Sequence, residues 1–501
     1  MNTTARTLHE RAEKTPDALA LRVEEREYTF LQLTEMADLL ALKMWSHGWT
    51  EGPVAVWLPD GVEMVTAVWG IARAGGIFAP IHNRITAEEM ANHLTRLGTN
   101  RLITLPERVG KLREAGFGLD VVTTEIAGSI DFEKERPTPL RAPEIGPTVH
   151  SILFTSGTTG IPKAVRLTWG NHWASAEAWC AFLGIGPADH YLGVIPQSHV
   201  GGLGILFRSV WMGFSVTCLT RFDAPNVNGL LDKGHINFIS LVPTQLRRIL
   251  QDRGGQPLSP SVREIIIGGA PLNEATAVLC ADRRVPLVLS YGMTETASGI
   301  AAFRPREWPG RELSSGSPLG ESVIRIVDAR SGESVPAGVE GMIEVEGPTV
   351  MAGYLGDRSP GGRFRTEDRG RLDEEGFLYV SRIQYRRIIS GGENVDALEV
   401  EQVLLAIPGI RDACVVGLPD DDLGERVVAV VACEADSPLS EEDLRLQCRT
   451  SLAPFKVPKV IRIWGELPLT ASGKVRRRTV RARLLQENDE FDSQSGDLSA
   501  Q

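Results

Sequence analysis

Thr155, Ser156, Gly157, Thr158, Thr159 and Gly160 follow directly on the apolar run Ile152-Leu153-Phe154, and Lys163 comes three residues later. Two glycines let backbone N–H groups converge on one point, the hydroxyls add donors, and the lysine adds positive charge. Such a loop can wrap an anion such as a phosphate. The order Gly157-x-x-Gly160-x-x-Lys163, followed by Ala164, differs from the G-x-x-x-x-G-K-[ST] phosphate loop. Other loops carry candidate chemistry. Glu295, in "YGMTET", stands beside hydroxyls, as a carboxylate holding Mg²⁺ at a phosphate would. His199 precedes Gly201-Gly202, where backbone can approach a ligand closely. Asp368, in "FRTEDRGRLDEEGFLYV", suits ribose hydroxyls, and Lys474, in "LPLTASGKVRRR", follows a glycine. Singly, each has an ordinary reading: a polar turn, a helix-capping acid, a core histidine, a turn acid, a solvated basic run.

The elements that must position these loops alternate over the first three hundred residues. "TFLQLTEMADLLALKM" opens with a Thr29-x-x-Gln32 capping box and sets Leu33, Met36, Ala37 and Leu40 on one helical face. "PVAVWLPDG" reads as a buried strand and turn, and a helix follows near Val62 to Arg73. "GIFAPI", a helix from about Ala87 to Leu97, and "RLITL" continue the rhythm. This predicts βα units around a largely parallel sheet, hence an α/β fold. Residues 131–147 carry four prolines and seven charges and read as a surface connector. "REIIIGGAPL" and "PLVLSYGMTET" each run from a short apolar strand into a glycine-bearing loop. Beyond about residue 310 short strands and turns predict a small antiparallel, barrel-like subdomain. From residue 388 a smaller α+β unit begins, with "VDALEVEQVLLAI" and "SEEDLRLQCRTSL" as helices and "ACVVGLPD" and "RVVAVVACE" as strands. The expected organisation is an N-terminal domain over 1–381, a hinge at 382–387, a mobile C-terminal domain over 388–485, and a disordered acidic tail over 486–501.

The net charge of −11 argues against a nucleic-acid binder. A local cationic site can still oppose that charge for a small anion. The most apolar long stretch, Val65 to Ile81, is interrupted by Arg73 and Gly75-Gly76, so no membrane span is expected. The start of the chain carries charges throughout, with no apolar core of a secretory signal. The six cysteines are scattered, without C-x-x-C, as reduced thiols are. A cytoplasmic protein is expected, with its oligomeric state open.

The order and spacing of the loops together resemble the adenylate-forming superfamily of acyl-CoA synthetases, peptide-synthetase adenylation domains and beetle luciferases. The resemblance runs from "TPDALAL" to about Arg483 and includes "GMIEVEGPTVMAGY" and "ISGGENV". "LTWGNHWASA", "SHVGGLGIL" and "VLSYGMTETASG" more closely resemble the subfamily of acid–CoA ligases acting on 2-succinylbenzoate in menaquinone biosynthesis. The resemblance implies two steps: a carboxylate attacks the α-phosphate of ATP, and CoA then displaces AMP from the acyl-adenylate. It implies ATP, Mg²⁺, CoA and a small carboxylic acid as ligands. By the same resemblance, Thr155 to Gly160 and Lys163 hold the β- and γ-phosphates, Thr294 lies near the α-phosphate, and Glu295 binds Mg²⁺. Gly268, Gly269, Ala270, Ser290, Tyr291 and Gly292 wall the adenine and acyl sites. Asp368 binds ribose, with Arg382 a possible substitute for a ribose-contacting arginine. Lys474 bridges the carboxylate and α-phosphate. His199 and Gly202 line the acyl pocket, and Ser390, Gly391 and Gly392 line the CoA channel.

The chain also departs from that pattern. In "LYVSRIQYRRIISGG", Ile383 replaces the ribose-contacting arginine, and Tyr385 and Arg386 replace two aspartates. Glu367 replaces a glycine before Asp368, Ala164 a glycine after Lys163, and Ala397 a proline. Arg208 follows the His199 loop where amino-acid adenylators carry an aspartate, and it suits an acid with an extra carboxylate if it faces the pocket. Open alternatives are another aryl- or fatty-acyl-CoA ligase, a free-standing adenylator that loads a carrier, and a degenerate homologue that binds without efficient turnover.

Overall fold

The computed structural model describes every residue of the 501-residue chain except 1–3, 83–86, 115–117, 124–147, 156–162, 270–271, 273, 309, 312, 358, 384–386, 391–392, 421–422, 435–438, 453, 471–472 and 497–501. Two large sheets face a shared layer of helices. The first has six strands, in the order Asp120–Thr123, Arg101–Thr104, Gly52–Trp57, Gly76–Pro80, Val149–Thr155 and Lys163–Thr168. All neighbours are parallel except the last pair, an antiparallel ribbon. The second has nine strands. Its parallel centre runs Leu287–Met293, Glu264–Ile267, Phe238–Leu241, His190–Gly193, Ser215–Cys218 and Leu19–Val23, with antiparallel strands at both ends. Glu264–Ile267 is buried along its whole length, as a strand covered on both faces must be.

Between the sheets lie the helices Phe30–Ser46, Val62–Ala74, Trp169–Leu183 and Val200–Met212. Their side chains join one core: Leu40, Val68, Trp173 and Phe207 pack with Val54 and Val56 of one sheet and Val216 and Phe238 of the other. Phe30–Ser46 begins with the expected capping box, Gln32 N donating to Thr29 Oγ1 at 3.2 Å and Thr29 N to Gln32 Oε1 at 2.9 Å. The Val62–Ala74 helix is buried almost all round. It approaches its neighbour through Gly70, where a Cβ would lie only 2.9 Å from Leu40 Cδ2. The same device would fail with alanine, because this interior has no spare volume.

The expected antiparallel subdomain is a four-stranded meander, Val323–Val327, Gly341–Glu346, Arg363–Leu372 and Leu378–Ile383. Asn171 Nδ2 ties it to the helical layer, donating to the Pro348 and Val350 carbonyls, both at 2.8 Å. The C-terminal unit packs the helices Ala397–Leu405 and Glu441–Ser451 on a five-stranded sheet with its own core. Side-chain hydrogen bonds help dock it on the larger body: Arg247 donates to Asp412 Oδ1 at 2.7 Å, and Gln251 to Glu434 Oε1 at 3.2 Å. The last helix spans Arg477–Gly496, so the segment expected to be irregular from residue 486 is helical to residue 496. Composition underestimated it: "RARLLQENDEF" contains no helix breaker, and Arg483 Nε donates to Glu487 Oε1 one turn on, at 3.0 Å. Among the described residues no helix is long and apolar enough to cross a membrane.

Candidate active site

The chemistry-bearing loops gather where the parallel strands end. Thr155, Ile267 and Met293 each terminate a strand at its carboxyl end, the edge at which open α/β sheets bind ligands. Thr155 pairs with Lys163 across the ribbon. Ser156, Gly157, Thr158, Thr159 and Gly160 lie outside the described residues. The Lys163 ammonium sits 5.2 Å from the Tyr354 ring centroid and donates to Glu367 Oε1 at 2.9 Å. Tyr354 in turn donates its hydroxyl to Glu295 Oε1 at 2.9 Å. Burial raises the Glu295 carboxyl above its ordinary range, and Glu367 adds to the effect while Lys163 opposes it. Lys163, Tyr354, Glu295 and Glu367 thus form one cluster.

The strand Leu287–Met293 turns sharply at Thr294–Thr296. Buried Thr296 accepts from Met293 N at 3.0 Å, and its hydroxyl lies 2.8 Å from the Ser298 carbonyl. Ala297 and Ser298 take positive φ, 52° and 115°. Gly292 is obligatory here, because a Cβ would lie 2.1 Å from the Ser298 carbonyl oxygen. Tyr291 has a more particular place than a wall: its hydroxyl donates to Asp368 Oδ2 at 2.9 Å. Asp368 is further fixed through its own N–H, which donates to Thr366 Oγ1 at 3.1 Å. Ser290 Oγ donates to the Ile267 carbonyl at 2.9 Å and borders Gly268. Ala270 lies outside the described residues.

Lys474 reaches this site from the C-terminal unit. Its loop is closed by Thr470, whose N–H donates to the Lys474 carbonyl at 2.6 Å and whose hydroxyl accepts from Lys474 N at 3.0 Å. A methyl placed on Gly269, which has φ 77°, would lie 3.2 Å from the Lys474 Nζ. The lysine is also felt by His199, the residue before the helix Val200–Met212. The His199 ring edge is partly accessible, but its Nε2 is enclosed, with no hydrogen-bond partner among the described residues. Burial, with His82 at 6.1 Å between ring centroids and Lys474 beyond, pulls its pKa down to about 4. The imidazole is therefore neutral near pH 7.

Sequence reasoning missed the clamp that holds the His199 loop. Gln197 N donates to Asp60 Oδ1 at 2.6 Å, Gly61 N donates to Gln197 Oε1 at 3.0 Å, and Gln197 Nε2 reaches Cys218 Sγ at 3.1 Å. The signal was present in the acid and glycine of "LPDG", where they were read as a turn. Gly202 packs against the same loop, since a Cβ there would lie 2.3 Å from the Pro196 carbonyl oxygen. Arg208, two turns on, is 2% exposed. Its guanidinium donates to Ser298 Oγ at 3.2 Å and lies 4.8 Å from the Trp179 ring. Its Nε has no hydrogen-bond partner, and it forms no ion pair with a carboxylate among the described residues.

The remaining expected site residues are placed by their backbones or lie outside the described residues. Ser390 is buried at the start of the C-terminal sheet, its backbone paired with Glu393 and Gly424. Gly391, Gly392, Tyr385 and Arg386 lie outside the described residues. Arg382 pairs with Arg369, and Ile383 with Asp368, along the strand backbones. Residues of "LTWGNHWASA" lie in the core, where the His172 ring stacks on Phe207 at 4.2 Å. Among the described residues no three carboxylate, imidazole or thiol groups assemble a cage for a metal. The half-buried Glu295 carboxylate, with one side-chain donor, fits the other way of holding Mg²⁺, by a single carboxylate and phosphate oxygens.

Lys163 with its carboxylate partner, Asp368 held by Tyr291, and a second lysine brought by the C-terminal unit meet at the ends of the strands. The chain belongs to the AMP-binding enzyme family: that family's model matches residues 8–355, and the model of its C-terminal domain matches residues 399–474. The chain is 33% identical to the 2-succinylbenzoate–CoA ligase of Listeria monocytogenes serovar 1/2a (strain ATCC BAA-679 / EGD-e), over 95% of this chain and 98% of that one. It resembles the o-succinylbenzoate CoA synthetase of Bacillus subtilis in complex with the acyl-adenylate intermediate, with a TM-score of 0.84, 31% identity, and coverage of 95% and 97%. The same Bacillus subtilis enzyme in complex with ATP and magnesium ion gives 0.83 and 31%, covering 94% and 98%.

Proposed function

We propose that this chain is an AMP-forming acid–CoA ligase acting on 2-succinylbenzoate in menaquinone biosynthesis. It converts the acid, ATP and CoA to 2-succinylbenzoyl-CoA, AMP and diphosphate in the cytoplasm, where ATP and CoA are supplied. One observation carries the reaction class: the Lys474 ammonium, brought by the C-terminal unit, stands beside Gly269 within electrostatic reach of His199. The activity of the relatives supports the choice of acid.

In the first step a carboxylate oxygen forms a bond to the α-phosphorus and the bond to diphosphate breaks. Two anions must meet, so cations and donors are needed where the charge gathers. Lys474 lies between the substrate carboxylate and the α-phosphate, with Thr294 near the latter. Lys163, with the loop from Thr155 to Gly160, takes the β- and γ-phosphates. Asp368, held by Tyr291, binds the ribose, while Gly268, Gly269, Ala270, Ser290 and Gly292 border the adenine and acyl groups. Mg²⁺ at Glu295 supplies charge neutralisation when bound. Neutral His199 and Gly202 border the acyl pocket, and Arg208 receives the acid's second carboxylate. In the second step the CoA thiolate attacks the acyl carbon and AMP leaves. The C-terminal domain (388–485) rotates about residues 382–387 to withdraw Lys474 and bring Ser390, Gly391 and Gly392 to the CoA channel.

The test is product mass spectrometry with ATP, Mg²⁺, CoA and a panel of 2-succinylbenzoate, benzoate, and medium- and long-chain fatty acids. A dominant 2-succinylbenzoyl-CoA product is expected, despite the changed residues of the hinge. Another thioester would keep the reaction and discard the substrate. No AMP and no thioester from any acid would sink the ligase reading.

A further inference from the structure

Glu367 has no part in the reaction as derived above, yet it holds one of its cations. We propose that Glu367 is an internal competitor for Lys163: its carboxylate pairs with the ammonium when no phosphate is present, yields it to the β- and γ-phosphates of ATP, and reclaims it as diphosphate leaves. The inference rests on the reading of Lys163 as a phosphate ligand.

The geometry supports an exchangeable pair rather than a fixed structural one. Lys163 Nζ and Glu367 Oε1 are 2.9 Å apart, and the two side chains remain 30% and 39% exposed. An ion pair this open is weak enough to be broken by a better ligand. Diphosphate is such a ligand, with several negative oxygens available to one compact ammonium. Glu367 also lies beside the pair that recognises the other end of the nucleotide: the next residue, Asp368, accepts from Tyr291. Across the cluster, Glu295 feels Glu367 as a like charge. A carboxylate in this position therefore opposes any anion that stays once its bond to the nucleotide has broken. The resemblance implies a glycine at this position, which carries no charge and could not act in this way. AMP carries only the α-phosphate, so it does not compete for Lys163.

Equilibrium binding of diphosphate, ATP and AMP to the full-length protein, by calorimetry, tests this. Glu367→Gln is expected to tighten diphosphate and ATP by about two- to fivefold, the worth of a half-exposed ion pair, and to leave AMP unchanged. Glu367→Gly should do the same, and its agreement excludes a local packing effect of glutamine. Unchanged or weaker diphosphate binding in both variants would overturn the competitor role. So would an equal gain for AMP, which would indicate a general charge effect. Lys163→Met separates the two levels of the reading. It should weaken diphosphate and ATP but spare AMP, and if it spares all three, the phosphate role of Lys163 fails and the competitor role fails with it.

Discussion

Replacing Arg208 by methionine should damage substrate binding while leaving the stability of the free protein nearly unchanged. Desolvating a guanidinium costs several kcal/mol even after relaxation. Arg208 is buried, and burial pulls its pKa below the ordinary arginine value. Against that cost stand hydrogen bonds to Ser298, at 3.2 Å, and to the Tyr191 hydroxyl, and the face of Trp179 at 4.8 Å. Each hydrogen bond returns roughly 1.5–3 kcal/mol and the ring up to about 2 kcal/mol. Without a carboxylate the arginine is near break-even. Methionine has comparable length and adapts to irregular cavities, so Arg208→Met should change stability by no more than about 2 kcal/mol. On the proposed reading, the second carboxylate of 2-succinylbenzoate supplies the missing counter-charge in the wild type. Losing a charged hydrogen bond worth about 1.5–3 kcal/mol should raise KM for that acid roughly 10- to 150-fold. The assay compares 2-succinylbenzoate with 4-oxo-4-phenylbutanoate, which lacks the ring carboxylate. The variant should treat the second acid as the wild type does. Unchanged KM for both acids, together with a lowered melting temperature, would refute the reasoning and make Arg208 a structural core residue.

Lys474→Ala should slow adenylation by about 10²–10³-fold, the usual cost of removing one transition-state donor. It should leave CoA-thioester formation from pre-made acyl-adenylate within a few-fold, and equal loss of both half-reactions would remove Lys474 from its assigned step. Stability should fall in mild acid, because burial holds His150 at about 3, and His190 and His199 at about 4. Their folded values lie below the ordinary 6.5, so their contribution is complete above that pH and is lost as pH falls toward 4 and 3. His150 alone accounts for about 2 kcal/mol between pH 8 and 5. Asp60, raised to about 6 by burial, works the other way, and its contribution is lost as pH rises from 3.8 through that value. Thermal melting from pH 7.5 to 5 should show the net decline, and His150→Gln should make it shallower. A level profile in the wild type would contradict the burial argument.

Local chemistry made much of this molecule legible before its structure. The capping box at Thr29 and Gln32, the buried run at Glu264–Ile267 and the strand of "PLVLSYGMTET" running into a loop depend on neighbours within a few residues. Spacing therefore reveals them. The clamp of Asp60 on Gln197 and the hydroxyl of Tyr291 on Asp368 were not legible, because each joins residues separated by 137 and 77 positions. "LTWGNHWASA" shows the opposite error, where residues distinctive in sequence proved to be core packing around His172, Trp173 and Phe207. The final helix was hidden by composition, since an acidic segment without apolar periodicity can still be helical when nothing in it breaks the backbone pattern.

The placement of positive charge explains how an acidic protein can gather so many anions. With a net charge of −11 the molecule as a whole repels ATP, CoA and a dicarboxylic acid. Three cations from separate elements oppose that field locally. Lys163 opens an edge strand, Arg208 lies on an interior helix, and Lys474 rides on a loop of the C-terminal unit. Each has a different restraint: a half-exposed carboxylate, burial without a carboxylate, and attachment to a second domain. On the proposed assignment the three restraints suit three tasks: Lys163 releases diphosphate, Arg208 selects an acid with a second charge, and Lys474 acts in one half-reaction and is absent from the next. A single fixed cluster of cations could bind the same anions, but it would hold the leaving diphosphate as firmly as the entering ATP.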